Sequence, residues 1–460
     1  MVEFFTIDEH MRRTTFIGIR LLVFIFLLKA MPSIAGTSEF VFEDHGYVNP
    51  FTGGVAWETA NHVDVLSMEW AFVGLSDVLP RCSGAFDWSS VDDFLARVVT
   101  RGHQGILRPV VFGPGYIEEN YAPSDLVTNA FVYEGSVYDN PDWSDESVQT
   151  CVLKFIDAFA ERYKNDQRIA YIQMGLVGLW GEHHLDGGPY TASNFPSFAF
   201  QKTMVEHYLR GFGSTSSDLL TGLSLDSAQS HGYFSSDDVS LDNERIGFFD
   251  DSLLTVYHND PNNWRQQTAP AIQLELRKQY GWGGEAFYSG CNSTGSWAIP
   301  PNDCGNGETL GDQAQRVGLN YMLGSPAFTG NTIPAATLLS ASQLMGYKFT
   351  ATAAARLDDD HIQITIENTG VAYCPYKVEV CTAQGCAGNL ATLAPGSNVS
   401  VTVPASAAGL QTLFFSSPRL DPNSSTKIRW SNVGADDDTA TLMVNVSAVE
   451  RMFLDSFEAN

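Results

Sequence analysis

The chain has 460 residues and carries 26 Lys and Arg against 53 Asp and Glu, a formal net charge of −27. Such an acidic balance argues against nucleic acid and anionic membrane surfaces as partners, since both attract basic patches. With 44% hydrophobic and 12% aromatic residues there is material for a large core, and the length exceeds the usual single-core limit, so two domains are expected.

Residues 1–35 read as a signal peptide. Arg12, Arg13 and Arg20 precede the apolar run Leu21 to Leu28, and Ser33-Ile34-Ala35 has the small residues of a cleavage site. The run is shorter than the roughly 20 residues a membrane span needs. The chain is therefore expected to be secreted, extracellular or periplasmic, with no membrane association once the leader is removed.

From 36 to 346, short apolar segments alternate with helical ones. GGVAW (53–57), VLSMEWAFVG (65–74), GILRPVVFG (105–113) and the run opening at Ile169 read as strands. So do LLTGLSLD (219–226), RIGFFDDS (245–252), GGEAFYSG (283–290) and NYML (320–323). Helices are expected over 86–102, with a cap at Ser89 or Ser90, and over 145–164, 195–212, 262–280 and 309–317. Residues 114–144 read as a long acidic, aromatic loop. Unbroken apolar strands are those of a parallel sheet covered on both faces. Eight of them alternating with helices predict an α/β fold, a (β/α)8 TIM-type barrel. An open doubly wound sheet is the alternative, although no GxGxxG opens any helix.

Residues 347–449 change character. HIQITIENTG, YKVEVC, NVSVTVP, QTLFFSS and TATLMVNV alternate in the strand manner between Gly, Pro, Asn and Asp, which predicts a β-sandwich, followed by a tail over 450–460. Among the seven cysteines, Cys291 and Cys304 bracket a polar loop and are a candidate disulfide. One pair is expected within Cys374, Cys381 and Cys386, and Cys82 and Cys151 lie further apart. The odd number leaves a thiol over.

Chemistry is expected at the C-terminal rim of the barrel, where active sites of this architecture sit. The stretch IAYIQMGLVGLWGEHH (169–184) begins as a buried strand and delivers Trp180, Glu182, His183 and His184 within a few residues, with small glycines alongside. Glu285 lies on GGEAFY, three strands later. Strands four and seven of a barrel face each other across its mouth, so these two carboxyl groups are the expected catalytic pair. One would protonate a leaving oxygen, while the other attacks the anomeric carbon or activates water. Arg108 sits inside an apolar strand where an unpaired charge would be costly, so it is expected to pair with a carboxylate, Glu285 foremost. Asp226, Asp250 and Asp251 end strands and could bind sugar hydroxyls or cap helices. His183 and His184 could orient Glu182 or contact substrate, and Tyr116 and Trp180 could stack on sugar faces. The sequence offers no third ligand to complete a metal site and no cofactor motif, so neither is expected.

The segments NPFTGG (49–54), ILRPVVFGPG (106–115), YIQMGLVGLWGEHH (171–184), FFDDS (248–252) and GGEAFY (283–288) carry a family resemblance, as does the stretch from LGSPAF into LMGYKF. Over nearly the whole mature chain they resemble the secreted family designated domain of unknown function DUF 4832, with its DUF 4874-like N-terminal part. That family resembles the clan A glycoside hydrolase barrels. The stretch from Trp70 through FDW (86–88) to LRPVV is similar to family 42 β-galactosidases. The resemblance implies that Glu182 is the acid/base and Glu285 the nucleophile. Clan A places Asn before the acid/base, where this chain has Gly181. The expected activity is hydrolysis of O-glycosidic bonds in a neutral oligo- or polysaccharide by retaining double displacement. A non-catalytic carbohydrate-binding protein, or a matrix or adhesion module, is the other reading.

Overall fold

The computed structural model describes residues 40–44, 46–57, 64–114, 120–185, 188, 190–213, 215–224, 244–253, 278–286, 309–324, 333–405 and 409–446. The expected leader, most of the expected helix 262–280 and the tail lie outside the described residues, as do Tyr116, Asp226, Cys291 and Cys304.

Eight parallel strands close into a barrel. Round the ring they are β1 (Gly53–Trp57), β2 (Met68–Gly74), β3 (Gln104–Val110), β6 (Ile169–Gln173), β7 (Thr221–Ser224), β8 (Ile246–Leu253), β9 (Trp282–Ala286) and β10 (Tyr321–Leu323), which pairs back onto β1. Every residue of β1, β3, β6 and β9 is buried. Such strands are mainly apolar, because one face meets the barrel interior and the other meets helices; the buried polar exceptions include Arg108, Gln173 and Glu285. The open-sheet alternative is thereby set aside.

The helices form where their apolar periodicity lies. In Ser89–Thr100 the buried residues are Val91, Phe94, Leu95 and Val98, one stripe at helical spacing. Its cap differs from expectation: the N-cap is Trp88, with no side-chain capping bond, and Asp87 before it accepts hydrogen bonds from the Ser89 N–H (3.0 Å) and hydroxyl (2.6 Å). Helix Glu146–Tyr163 is capped by Asp145 and helix Phe198–Phe212 by Ser197. The segment 114–144 is not all loop. It carries a hairpin, β4 (Thr128–Tyr133) with β5 (Ser136–Pro141), turning at Glu134 and Gly135, both at positive φ. Phe131 and Tyr138 on one face of the hairpin pack against Phe112 beyond β3.

The C-terminal part forms two antiparallel sheets. One is β11 (Phe349–Arg356), β12 (His361–Asn368) and β15 (Asn398–Pro404). The other is β13 (Glu379–Thr382), β14 (Gly385–Ala387), β16 (Gly409–Ser416) and β17 (Leu442–Val446). In β12 the buried residues Ile362, Ile364 and Ile366 alternate with half-buried ones, as a strand with one core face requires. Disulfides join Cys82 to Cys151 and Cys381 to Cys386. Cys374 is a buried thiol whose pKa is pushed up to about 12 by burial. Among the described residues no helix is long and apolar enough to cross a membrane.

Side chains from this C-terminal part cover the barrel's N-terminal end. Tyr376 donates its hydroxyl hydrogen to the Ala170 carbonyl at the start of β6, and its oxygen accepts from the Leu220 N–H at 3.0 Å. Arg419 donates to the carbonyls of Lys164, Asp166 and Ile169 at 3.2, 2.6 and 3.2 Å. With that end covered, chemistry is left to the opposite rim. Replacing Tyr376 by Phe strands a buried N–H and a buried carbonyl. Tyr376→Phe is expected to lower unfolding stability by about 1–3 kcal/mol, read by urea denaturation; a loss under about 0.5 kcal/mol would show the contact to be dispensable.

Candidate active site

At the C-terminal rim the site is assembled around Arg108 of β3, which has no solvent exposure. A guanidinium keeps its charge in proteins, so burying one requires counter-charges and acceptors for its N–H groups. Arg108 finds three partners. Its Nε donates to Gln173 Oε1 at 2.7 Å, its Nη1 to Glu182 Oε1 at 3.0 Å, and its Nη2 lies 2.7 Å from Glu285 Oε1. The rings of Trp70 and Phe249 flank the cation at 5.0 and 4.6 Å. Burial opposes the charge, but Glu285 and then Glu182 outweigh it, and the Arg108 pKa is raised. The expected pairing with Glu285 is present, and the same side chain holds Glu182 as well.

Glu182 reaches the site by an unexpected route. The strand does not run to it: β6 ends at Gln173, and Glu182 follows a single turn of 3-10 helix, Leu179–Gly181. The intervening backbone is folded tightly on itself and on β3. The Leu176 N–H donates to the Pro109 carbonyl, the Trp180 N–H to Phe112 and the His183 N–H to Val177, at 2.8–2.9 Å. Leu176, Trp180 and His183 all have positive φ (74°, 51° and 63°), which L residues adopt at a cost. Gly178 is required here: its φ is +75°, and a Cβ would lie 2.4 Å from the His184 carbonyl oxygen. From β7, the Ser224 hydroxyl donates to the Glu182 carbonyl at 2.8 Å and pins the residue from the other side. Glu285 is the next-to-last residue of β9, in register with Leu323 of β10. The preceding Gly284 admits the Asp250 carbonyl, which would stand 2.0 Å from a Cβ there.

The two carboxyl groups sit three strands apart in the ring, with only 10% and 5% of their side-chain surface exposed. Burial is the main reason that the Glu182 pKa is raised from 4.5 to about 7. The hydrogen bond from His184 Nε2, 3.1 Å from Glu182 Oε2, lowers it; Asp251 raises it, Arg108 lowers it and Glu285 raises it. A carboxyl group half-protonated near neutrality can give a proton and take one back.

The other expected residues fall into three groups. His184 and Asp251 belong to the site: His184 Nε2 stands between Glu182 and Asp251 Oδ2, 3.8 Å from the latter. Trp180 lies at the edge of the site, partly exposed; its indole N–H donates to the Pro114 carbonyl at 2.9 Å, and its ring meets Tyr133 of the hairpin edge-on at 5.7 Å. His183 does not orient Glu182. It points into the protein, with Nε2 2.7 Å from the Met174 carbonyl, and burial pushes its pKa down to about 4, so it is neutral. Asp250 is buried, and one of its carboxylate oxygens accepts the Ser252 N–H at 2.9 Å. Tyr116 and Asp226 lie outside the described residues. Sequence reasoning missed Gln173, Ser224, Trp70 and Tyr321. The first had a signal, as a lone polar residue in an unbroken apolar run.

Among the described residues, those able to hold a metal are Glu182, His184 and Asp251, whose ligand atoms lie within 4.8 Å of one another. Asp251 is thus the third donor that the sequence did not reveal. The His184 contacts account for that proximity without an ion, and an ion would compete with the proton on Glu182.

No family model matches this chain and no curated protein matches it. Solved structures similar to it include endo-glycoceramidase II from Rhodococcus sp. in a cellobiose-like isofagomine complex, at 12% identity over 78% of this chain and 99% of that one, with a TM-score of 0.43. A family 39 glycoside hydrolase from the gut symbiont Bacteroides cellulosilyticus WH2 is 10% identical over 78% and 81%, with a TM-score of 0.36. An endoglucanase from Pseudomonas stutzeri is 8% identical over 60% and 82%, with a TM-score of 0.35. The resemblance to DUF 4832 and to family 42 rests on the quoted motifs alone.

Proposed function

We propose that this protein is a secreted glycoside hydrolase that cleaves O-glycosidic bonds of a neutral oligo- or polysaccharide. In this reading Glu182 is the general acid/base and Glu285 the nucleophile. The observation that carries it is the single buried guanidinium shared by two carboxyl groups at the C-terminal rim, one of them with its pKa raised to about 7. Two oxygens on the two arms of one guanidinium must lie within about 8 Å, an upper limit that admits the roughly 5–5.5 Å spacing of retaining glycosidases and much of the roughly 6.5–9.5 Å spacing of inverting ones.

In this reading Glu285, 2.7 Å from Arg108 Nη2, acts as the carboxylate and attacks the anomeric carbon. Glu182, kept protonated by burial, gives its proton to the departing oxygen. The second step reverses its role: Glu182 takes a proton from water, which displaces Glu285 from the sugar. Arg108 keeps its charge through both steps, and His184 with Asp251 steadies Glu182. Trp180 is the candidate sugar platform. The net charge of −27 suits a neutral substrate better than an acidic one. We read the two C-terminal sheets as a β-sandwich, residues 1–35 as a signal peptide, and the two disulfides as fitting an oxidising compartment.

The test is turnover on a panel of neutral aryl glycosides, with the anomer of the first product followed by NMR. Retention is expected; inversion would recast Glu285 as the base that activates water. Glu285→Ala should lose at least about 1,000-fold in kcat/KM and recover with azide, which replaces the missing nucleophile. Binding of oligosaccharide with no turnover by wild type would favour the non-catalytic reading. The alkaline limb of the wild-type rate should fall with a midpoint near the Glu182 value of about 7, and that limb should vanish in Glu182→Gln.

A second prediction needs no substrate. The folded-state pKa of Glu182 lies above its ordinary value of 4.5, so the native state binds the extra proton. Stability relative to an uncharged side chain is therefore full below about pH 4.5 and lost as pH rises through about 7. Glu182→Gln should match wild type in thermal unfolding near pH 4.5 and exceed it by several degrees at pH 8. An equal Tm at both pH values would refute the raised pKa.

A further inference from the structure

Gln173 ends β6 on the floor of the site and is 1% exposed. Every strong hydrogen-bonding group on its amide that faces the site is engaged. Its Oε1 accepts from the Trp70 indole N–H at 2.8 Å and from Arg108 Nε at 2.7 Å, and its Nε2 donates to the Tyr321 hydroxyl at 3.0 Å. Two obligate donors converge on one oxygen, so the amide can sit only one way round. Trp70 belongs to β2, Arg108 to β3 and Tyr321 to β10, so this side chain ties strands from both sides of the ring.

The consequence lies in the Arg108 fork. A guanidinium frequently turns two parallel N–H groups onto one carboxylate. Here the Nε is held by Gln173, and the two terminal nitrogens go to different glutamates, Nη1 to Glu182 and Nη2 to Glu285. We propose that Gln173 is the positioning residue that divides the Arg108 fork between Glu182 and Glu285, one terminal nitrogen to each. It touches neither carboxyl group in these contacts and acts through Arg108. This inference rests on the glycosidase reading for its catalytic meaning, but the geometry it concerns can be tested without turnover.

Among the described residues, the charged and titratable groups facing Glu182 are Arg108, His184, Asp251 and Glu285. Arg108 is the one whose orientation Gln173 controls. In Gln173→Met the Nε loses its acceptor, the guanidinium is free to turn, and Nη1 is no longer held on Glu182. In Gln173→Asn the amide stays neutral, but its oxygen is drawn back by one methylene from Trp70 and Arg108. Both changes withdraw positive charge from Glu182, so both should raise its titration midpoint.

The experiment is 13C NMR titration of the glutamate carboxyl carbons in wild type and the two variants, with the Glu182 signal assigned by its loss in Glu182→Gln. Both variants should titrate Glu182 at least about half a pH unit above wild type. kcat should fall about 10- to 100-fold, with KM changed less than about threefold and the alkaline limb displaced upward. If Gln173→Met does not fold, Gln173→Asn carries the test, since it keeps a neutral amide in the site and adds no charge of its own. A purely structural role would lower Tm and leave the midpoint within about 0.2 of wild type; that result in a folded variant overturns the proposal. A displaced midpoint in a protein that cleaves none of the substrates supports the positioning role and counts against the glycosidase reading alone.

Discussion

Everything at the rim depends on one buried positive charge. Arg108 is without solvent exposure in the wall of a barrel, and leaving such a charge with no counter-charge typically costs about 3–5 kcal/mol. The fold therefore has to deliver anionic partners to that point, and it does so from two distant parts of the chain. Glu285 arrives on a strand, through a backbone that only glycine permits at Gly284. Glu182 arrives on a strained loop. The site is less a set of residues added to a scaffold than the condition under which Arg108 can be buried at all.

That constraint explains the conformation of 174–184. A strand continued past Gln173 would carry Glu182 nine positions on, well beyond the rim, since a strand rises about 3.3 Å per residue. Folding the backbone back onto Pro109 and Phe112 returns the carboxyl group to Arg108. The cost is three L residues at positive φ, and the neighbouring contacts hold them there. His183 illustrates how the loop is held: a residue that looks like chemistry instead anchors the turn to the Met174 carbonyl from beneath.

Stability and chemistry pull against each other at Glu182. A carboxyl group so buried is easiest to keep when neutral, and Asp251 and Glu285 make its ionisation harder still. Arg108 and His184 offset this only in part. The result is a group that changes charge near neutral pH, which is unfavourable for packing and suited to proton transfer.

The barrel was legible in the chain because parallel strands buried on both faces are apolar along most of their length, as in GILRPVV and IAYIQ, and the helices because their buried residues recur at helical spacing. Glu182, Glu285 and Arg108 were legible too, each being a charge where the local pattern calls for an apolar or glycine-rich strand end. The hairpin 128–141 carried a signal in its alternation around Glu134-Gly135, outweighed by its many polar residues. Three things were decided only by the tertiary structure. The strand end at Gln173 depends on contacts with Pro109 and Phe112 of another segment. The difference between His183 and His184 depends on which way each ring turns once the loop has closed. The joining of Gln173, Trp70 and Tyr321 to Arg108 depends on ring closure, which brings together residues up to 251 positions apart, Trp70 of β2 and Tyr321 of β10. Local pattern records which face of an element is buried; what meets across the barrel's interior is set by closure and register, to which each segment contributes only its own part.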